Sequence, residues 1–370
     1  MPSVAVLSWR APGDPDAGGS ELHAREILGR WVATGVDVTV FARRPPRPAA
    51  PPESTPFPVL WRGGTYGVFG AAPSAVLRRR RRFDAVVEIL NGVPFWTPLW
   101  WRGPRVVWLH HLHTAMWSQS LPRPFAEIGR WNERVIVPRV YSTTPIVTLA
   151  EPGRSELEHA GFRQVEVVHP GVSEVYSPVP RPSGSGRRLV AVGRLVPVKR
   201  WHELLGAVAP LASRIEALRL DVVGDGPLRR ELEDWKSANA ADWLTLHGRV
   251  SDDRLVEMYR AADLLVSASS AEGWGMTITE AARCGVPAVA TDVTGHRAAV
   301  VHGETGVLVP EPSDLTAAIA GLLDDEQRRA RLGRAAAERA LTMTWDHAAA
   351  RHLEVLEQAM RVDSGVRFGR

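Results

Sequence analysis

A single cysteine, Cys284, stands in 370 residues. No internal disulfide can form, so the chain is not a disulfide scaffold, and a reducing cytoplasm suits it. Lysine is almost absent: Lys199 and Lys236 stand alone, and the other 43 of the 45 basic residues are arginine. A lysine at a special position therefore says more than usual. Long apolar runs are missing too. The most apolar stretch, residues 85–101, is interrupted by Glu88, Asn91, Gly92, Pro94 and Pro98. It falls short of the ~20 apolar residues a spanning helix needs. The first residues carry neither the basic head nor the apolar segment of a signal peptide. What remains is 45% hydrophobic and 23% charged, which excludes disorder, collagen and coiled coil and fits a soluble globular chain.

The length implies about two domains at ~100–200 residues each. Short apolar runs recur at 4–9, 36–41, 84–90, 106–109, 146–149 and 165–168. They recur again at 189–192, 218–223, 244–246, 264–267, 288–290 and 307–309. They are continuous rather than alternating, the mark of strands buried on both faces of a parallel sheet. Amphipathic segments separate most of them, as in residues 21–33, where Leu22, Ile27, Leu28, Trp31 and Val32 gather on one side and Gly35 marks a left-handed stop. Strand–helix alternation predicts an α/β chain of two doubly wound domains. The boundaries are set at 1–176, a Pro/Gly/Ser-rich joint at 177–188, and 189–344. A last helix, 345–360, with Leu353, Leu356 and Met360 on one side, is expected to cross back onto the first domain.

Charge is uneven. Residues 1–170 hold 20 Arg against 14 Asp+Glu, a net of +6, and residues 171–370 hold 25 Lys+Arg against 27 Asp+Glu, a net of −2. The first half is the candidate for an anionic acceptor or surface. Nine of the fourteen tryptophans also lie there, as core or as stacking surface for a sugar or a membrane interface. Arg78, Arg79, Arg80, Arg81 and Arg82 form a basic run, read either as a solvated helix end or as a contact for anionic lipid. No recognition motif for nucleic acid accompanies it.

Ligands of open α/β sheets bind beyond the carboxyl ends of the strands. Three segments at such ends stand out. Arg194 and Lys199 follow the strand at 189–192 and are spaced to hold a diphosphate from two sides. Glu272-Gly273-Trp274-Gly275-Met276-Thr277-Ile278-Thr279-Glu280 follows the strand at 264–267. Its glycines admit a ligand to the backbone, and a helix beginning near Met276 would present free amides to a phosphate. Glu280, a turn inside that helix, suits the two hydroxyls of a ribose. Gly18-Gly19-Ser20-Glu21 opens the first helix and offers a further cradle. Neither a dinucleotide fingerprint nor a P-loop is present, which disfavours a dehydrogenase, and Gly224-Asp225-Gly226 alone reads as a tight turn.

Taken together with His169-Pro170-Gly171-Val172, His247-Gly248-Arg249-Val250 and Gly285-Val286-Pro287, these motifs in this order resemble the retaining glycosyltransferases of family 4. That family has the GT-B architecture of two facing Rossmann-like domains. The resemblance implies that Arg194 and Lys199 hold the donor diphosphate, Glu280 the ribose and Glu272 the donor sugar. The backbone of Gly273, Trp274, Gly275, Met276 and Thr277 would line the site. Arg249 and Val250 would meet the base, and Gly18 and Gly19 would close over the diphosphate. It implies a nucleotide-diphosphate sugar as donor and a sugar or lipid-linked acceptor. No metal and no cofactor are expected. A catalytic histidine at the end of a first-domain strand matches His110 best, with His113 the second choice and His111 a loop residue. The H-H-x-H cluster lacks the Cys or carboxylates that would complete a zinc site, and Asp14-Pro15-Asp16 is read as loop chemistry rather than metal ligation. An epimerase or phosphorylase of the same fold, or a non-catalytic sugar-nucleotide binder, remains open.

Overall fold

The computed structural model describes residues 1–14, 17–45, 55–112, 117, 122–179 and 187–368. The chain divides into two compact units, one of residues 1–171 with 345–370 and the other of residues 172–344. The division falls a few residues ahead of the proline-rich joint, of which 180–186 lie outside the described residues.

The first unit is a seven-stranded parallel sheet. Its strands are β1 (Ser3–Ser8), β2 (Asp37–Ala42), β3 (Val59–Trp61), β4 (Ala85–Ile89), β5 (Arg105–Trp108), β6 (Ile146–Thr148) and β7 (Val165–Val167), in the order β3-β2-β1-β4-β5-β6-β7. Val4, Ala5, Val6 and Leu7 of β1 are fully buried, as a central strand covered on both faces must be. β3 has no counterpart in the sequence reading. It is a three-residue edge strand, half-buried throughout, too short and too polar in its surroundings to show a pattern.

The C-terminal helix (Trp345–Phe368) packs within this first unit, against the first helix (Gly19–Ala33). Its buried stripe is Trp345, Ala348, Ala349, His352, Val355 and Leu356, whereas Leu353 and Met360 are half-buried. Trp31 donates its indole N–H to the Ala349 carbonyl at 2.9 Å, and Arg30 pairs with Asp346 at 2.5 Å.

The second unit is a six-stranded parallel sheet of β8 (Arg188–Val192), β9 (Arg219–Val223), β10 (Leu244–Gly248), β11 (Leu264–Ser267), β12 (Ala288–Thr291) and β13 (Gly306–Val309), in the order β10-β9-β8-β11-β12-β13. Leu189, Leu220, Leu244, Leu264 and Val289 form the middle of one apolar core with the helix Trp201–Ala212. In each sheet the order runs outward in both directions from one pair of strands, β1 with β4 and β8 with β11. That reversal opens a crevice at the carboxyl ends, where doubly wound sheets take their ligands.

Candidate active site

In the second unit the crevice lies at the ends of β8 and β11, and the motif residues of that half fall there. The turn after β8 is held against the turn after β9. Gly193 donates to Val223 O at 3.0 Å, Leu195 to Asp225 O at 3.0 Å, and Leu228 to Leu195 O at 3.0 Å. Gly224, at φ +133°, lies so close that a Cβ there would stand 1.9 Å from the Gly193 carbonyl oxygen. The Gly224-Asp225-Gly226 turn thus lets two strand ends approach, and nothing in its contacts requires a ligand.

Arg194 is exposed on this turn, and its carbonyl accepts from the Trp201 indole at 3.0 Å. Lys199 ends a short 3-10 turn (Pro197–Lys199), and Arg200 follows in the left-handed region at φ 49°, ψ 50°. That conformation is uncommon for a non-glycine residue and marks a tightly determined loop. Ser270 donates backbone N–H to Val198 O at 2.8 Å, tying the β8 loop to the β11 loop. The Lys199 ammonium consequently reaches the Glu272 carboxylate and forms an ion pair with it.

Behind Glu272 runs a polar chain. Ser269 donates to Glu272 Oε1 at 3.2 Å, Ser269 meets Ser267 at 3.2 Å, and Ser267 meets His296 Nε2 at 3.2 Å. Burial alone would raise the Glu272 carboxyl. The adjacent Lys199 charge, then His296 and the Ser269 hydroxyl, outweigh it and hold the group below its usual range. His296 is itself buried, which lowers its basicity despite the attraction of Glu272.

Gly275 sits at φ 85°, ψ 54° and begins the helix Met276–Arg283. The left-handed turn favours glycine and sets the start of the helix, whose first amides have no partner within the helix itself. Glu280 lies within this helix, 8% exposed, and accepts a hydrogen bond from the Tyr259 hydroxyl at 2.8 Å. Burial pushes its carboxyl up to about 7, opposed by the Tyr259 bond and reinforced by the charge of Asp252. Tyr259 is a partner that sequence spacing did not disclose. Arg249 is exposed and Val250 half-buried after β10. Gly248, at φ +71°, turns the chain there.

The first unit holds the remaining residues. Gly18 donates to Glu21 Oε2 at 2.7 Å and so closes the entry to the first helix, while Arg10 lies 3.3 Å from the other oxygen. Asp14 is buried and paired at 3.1 Å with Arg43, which follows β2, and Pro15 and Asp16 lie outside the described residues.

His110 follows β5 and is 7% exposed. Its ring stands 4.9 Å from that of His23, and His23 stands 5.0 Å from His352 of the C-terminal helix. Trp108 lies edge-on to both His23 and His352. Burial, with the neighbouring imidazoles adding, lowers His23 well below its ordinary value, and burial lowers His352 to about 4. His111 is half-buried, and His113 lies outside the described residues. Neither His23 nor His352 was singled out by sequence, because a lone histidine on a helix has no motif around it.

One fully buried carboxylate of the first unit belongs to no motif. Glu88 of β4 accepts from Phe95 N at 2.7 Å, Thr97 Oγ1 at 2.5 Å and the Tyr141 hydroxyl at 2.9 Å, pinning the loop beyond β4. Among the described residues no group of three or more His, Cys, Asp or Glu is arranged to hold a metal ion.

Comparison with known families accounts for both units. The model of glycosyltransferase family 4 matches residues 17–176, and that of the glycosyl transferases group 1 matches residues 174–339. A D-inositol 3-phosphate glycosyltransferase of Thermomonospora curvata is 31% identical over 407 residues, covering 95% of this chain and 93% of the relative. The chain belongs to glycosyltransferase family 4. A further relative of the same description, from Nocardia farcinica, is 31% identical over 419 residues, covering 99% of this chain and 91% of its own.

The fold is the GT-B fold of solved family structures. Sucrose-phosphate synthase from Thermosynechococcus elongatus superposes with a TM-score of 0.81 at 20% identity, over 98% of this chain and 100% of that one. Anabaena HepE in complex with UDP and glucose gives 0.76 at 19%, over 97% and 100%. As a family 4 member the chain is an enzyme of glycosyl transfer, and the residues at the ends of β8 and β11 are its candidate machinery.

Proposed function

We propose that the chain moves a glycosyl group, with retention and without a metal, from a nucleoside-diphosphate sugar to a hydroxyl of an anionic acceptor. The observation that carries this reading is the Lys199–Glu272 pair at the strand crossover of the second sheet, beside the glycine-led start of the helix Met276–Arg283. Arg194 and Lys199 take the diphosphate, with the amides after Gly275. Glu280 takes the ribose through the oxygen not bonded to Tyr259, Glu272 the sugar, and Arg249 and Val250 the base. In the first unit, His110 serves the reacting sugar and Gly19 offers its amide to phosphate, the Gly18 N–H being held by Glu21.

The chemistry follows from charge. As the sugar–oxygen bond breaks, the leaving diphosphate gathers negative charge, and fixed cations and amides there stabilise the transition state more than the ground state. The anion also competes with Glu272 for Lys199, so donor binding loosens the ion pair and frees the carboxylate for sugar hydroxyls.

An anionic acceptor is favoured by the net +6 of residues 1–170 and by relatives named for D-inositol 3-phosphate. The test is nucleotide release from UDP-, GDP- and ADP-sugars with and without inositol 3-phosphate, with product anomers read by NMR. Acceptor-dependent release with retained configuration is expected. Release or isomerisation without acceptor indicates an epimerase, and binding without turnover a non-catalytic protein.

Contact with an anionic membrane is a further part of the proposal. On the helix Arg123–Trp131, Phe125, Ile128 and Trp131 are 60%, 60% and 57% exposed along one side, with Arg123 and Arg130 nearby. The five arginines at 78–82 are all exposed. No helix among the described residues is long and apolar enough to cross a membrane. Sedimentation with anionic vesicles at low salt should retain the wild type and lose a Phe125→Ser/Trp131→Ser variant.

A further inference from the structure

The ring of His296 belongs to no motif, yet the loop that carries Glu272 is wound around it. His296 sits in the short helix Thr294–Ala299 and is 1% exposed. Its Nδ1 is 2.7 Å from the Thr291 carbonyl oxygen. A carbonyl only accepts, so Nδ1 carries the ring proton and Nε2 faces Ser267 as an acceptor. The start of the loop, Ser267, therefore lies on one edge of the imidazole. The end of the loop lies on another: a Cβ on Gly275 would stand 3.4 Å from His296 Cδ2. The middle rests on the same helix, since a Cβ on Gly295 would fall 2.5 Å from the Glu272 carbonyl oxygen. Thr291 completes the frame by donating its hydroxyl to Ser269 O at 2.6 Å.

We infer that His296 is a positioning residue for the transfer reaction, fixing the Glu272 carboxylate through Ser267 and Ser269 while setting the start of the helix that follows Gly275. The inference rests on the assignment of Glu272 to the donor sugar. Ser267 and Ser269 have one proton each for three contacts. With a neutral ring, Ser267 gives its proton to Nε2 and Ser269 gives its own to Glu272. A proton on Nε2 would supply the third link and strengthen the hold on the carboxylate. The charged groups that face His296 are Glu272 and Lys199 from the site and Asp292 from the end of β12, the last paired with Arg297 at 2.6 Å.

The test compares His296→Phe, Ser267→Ala and their double variant by pH profiles of kcat/KM, with Glu272→Gln in the same series. Phenylalanine keeps most of the volume and removes both nitrogens. Misplacing a group at the reacting centre by about 1 Å can cost on the order of 100-fold, so a loss of ~10–100-fold in kcat is expected for His296→Phe. The acidic limb should also move to higher pH, because Glu272 loses a neighbour that favours its charged form. Ser267→Ala should shift the limb the same way by less, and the double variant should lose less than the product of the two.

Wild-type kcat/KM with an unmoved limb in His296→Phe, or a double loss equal to the product, overturns the inference. If His296→Phe does not fold, Ser267→Ala decides alone, since it leaves the short helix in place: an unmoved limb there overturns the inference equally. Glu272→Gln separates this outcome from failure of the assignment beneath it. Full activity in Glu272→Gln removes Glu272 from the mechanism, whereas an inactive Glu272→Gln beside an unaffected His296→Phe refutes only the role of His296.

Discussion

Acid should weaken the first unit through the imidazoles buried under its C-terminal helix. His352 is fully buried, bonds its Nδ1 to Ala348 O at 2.8 Å, and packs on His23 and Trp108. Its folded value of about 4 stands below the 6.5 of an exposed histidine. The unfolded chain therefore takes up a proton near 6.5 that the folded chain refuses until about 4. Stability is complete above that window and is lost as pH falls through it. At 1.36 kcal/mol per unit, this one residue is worth about 3 kcal/mol between neutral pH and pH 4. His23, lowered in the same direction, adds to the loss. The stability of small folded units is of order 5–15 kcal/mol, so the change is a large share of it. Urea unfolding followed by tryptophan emission at pH 7.5, 6.5, 5.5 and 4.5 reads it directly, since Trp31, Trp108 and Trp345 all line the cluster. His352→Leu should flatten the pH slope of the first transition by close to one proton, whatever it does to stability at pH 7.5. An unchanged slope in that variant would refute the reasoning.

Glu280 should act in the opposite sense. Its carboxyl is raised from 4.5 to about 7, so the second unit gains stability as pH falls through that window, and Glu280→Gln should stabilise it by up to about 3 kcal/mol more at pH 8 than at pH 4.5, by urea unfolding. The same substitution should weaken donor binding at least ten-fold by calorimetry, because the ribose loses its acceptor. Lys199→Ala should lower kcat by 100-fold or more with little change in thermal midpoint, since it removes charge from a partly exposed site. Gly224→Ala should cost more than 3 kcal/mol by urea unfolding, because its Cβ overlaps the Gly193 carbonyl and φ +133° is a glycine conformation.

Sequence periodicity disclosed the two sheets because their central strands, such as β1, β4, β11 and β12, are buried almost throughout and consist largely of Val, Leu, Ile and Ala. It missed β3, whose three residues sit at a sheet edge and are only half-buried. The candidate site drew on a related pattern: Lys199 and Glu272 stand just beyond the carboxyl ends of β8 and β11, where a charge contributes nothing to an apolar core. The groups behind the motifs were not legible. Tyr259 reaches Glu280 directly, His296 and Thr291 reach the loop of Glu272 through Ser267 and Ser269, and no local spacing joins residues brought together by the order of β8, β11 and β12. Asp14, read as loop chemistry from its D-x-D setting, is paired with Arg43, nearly thirty residues away, a partner that no local spacing discloses.

The two units treat their buried titratable groups differently, and charge explains why. In the first, burial keeps His23 and His352 neutral, with the neighbouring imidazoles adding at His23. In the second, burial would neutralise both glutamates, yet only Glu272 has a cation beside it and stays ionised, while Glu280 has a tyrosine and titrates near 7. A donor diphosphate that draws Lys199 away from Glu272 removes that compensation and should raise the Glu272 carboxyl toward the value burial alone favours. Donor binding should then be linked to proton uptake. Calorimetry at pH 7 in buffers of different ionisation enthalpy measures this, with uptake above zero expected for the wild type and a smaller value for Glu272→Gln. Equal uptake in the two would place the proton elsewhere, with Glu280 the next group to examine.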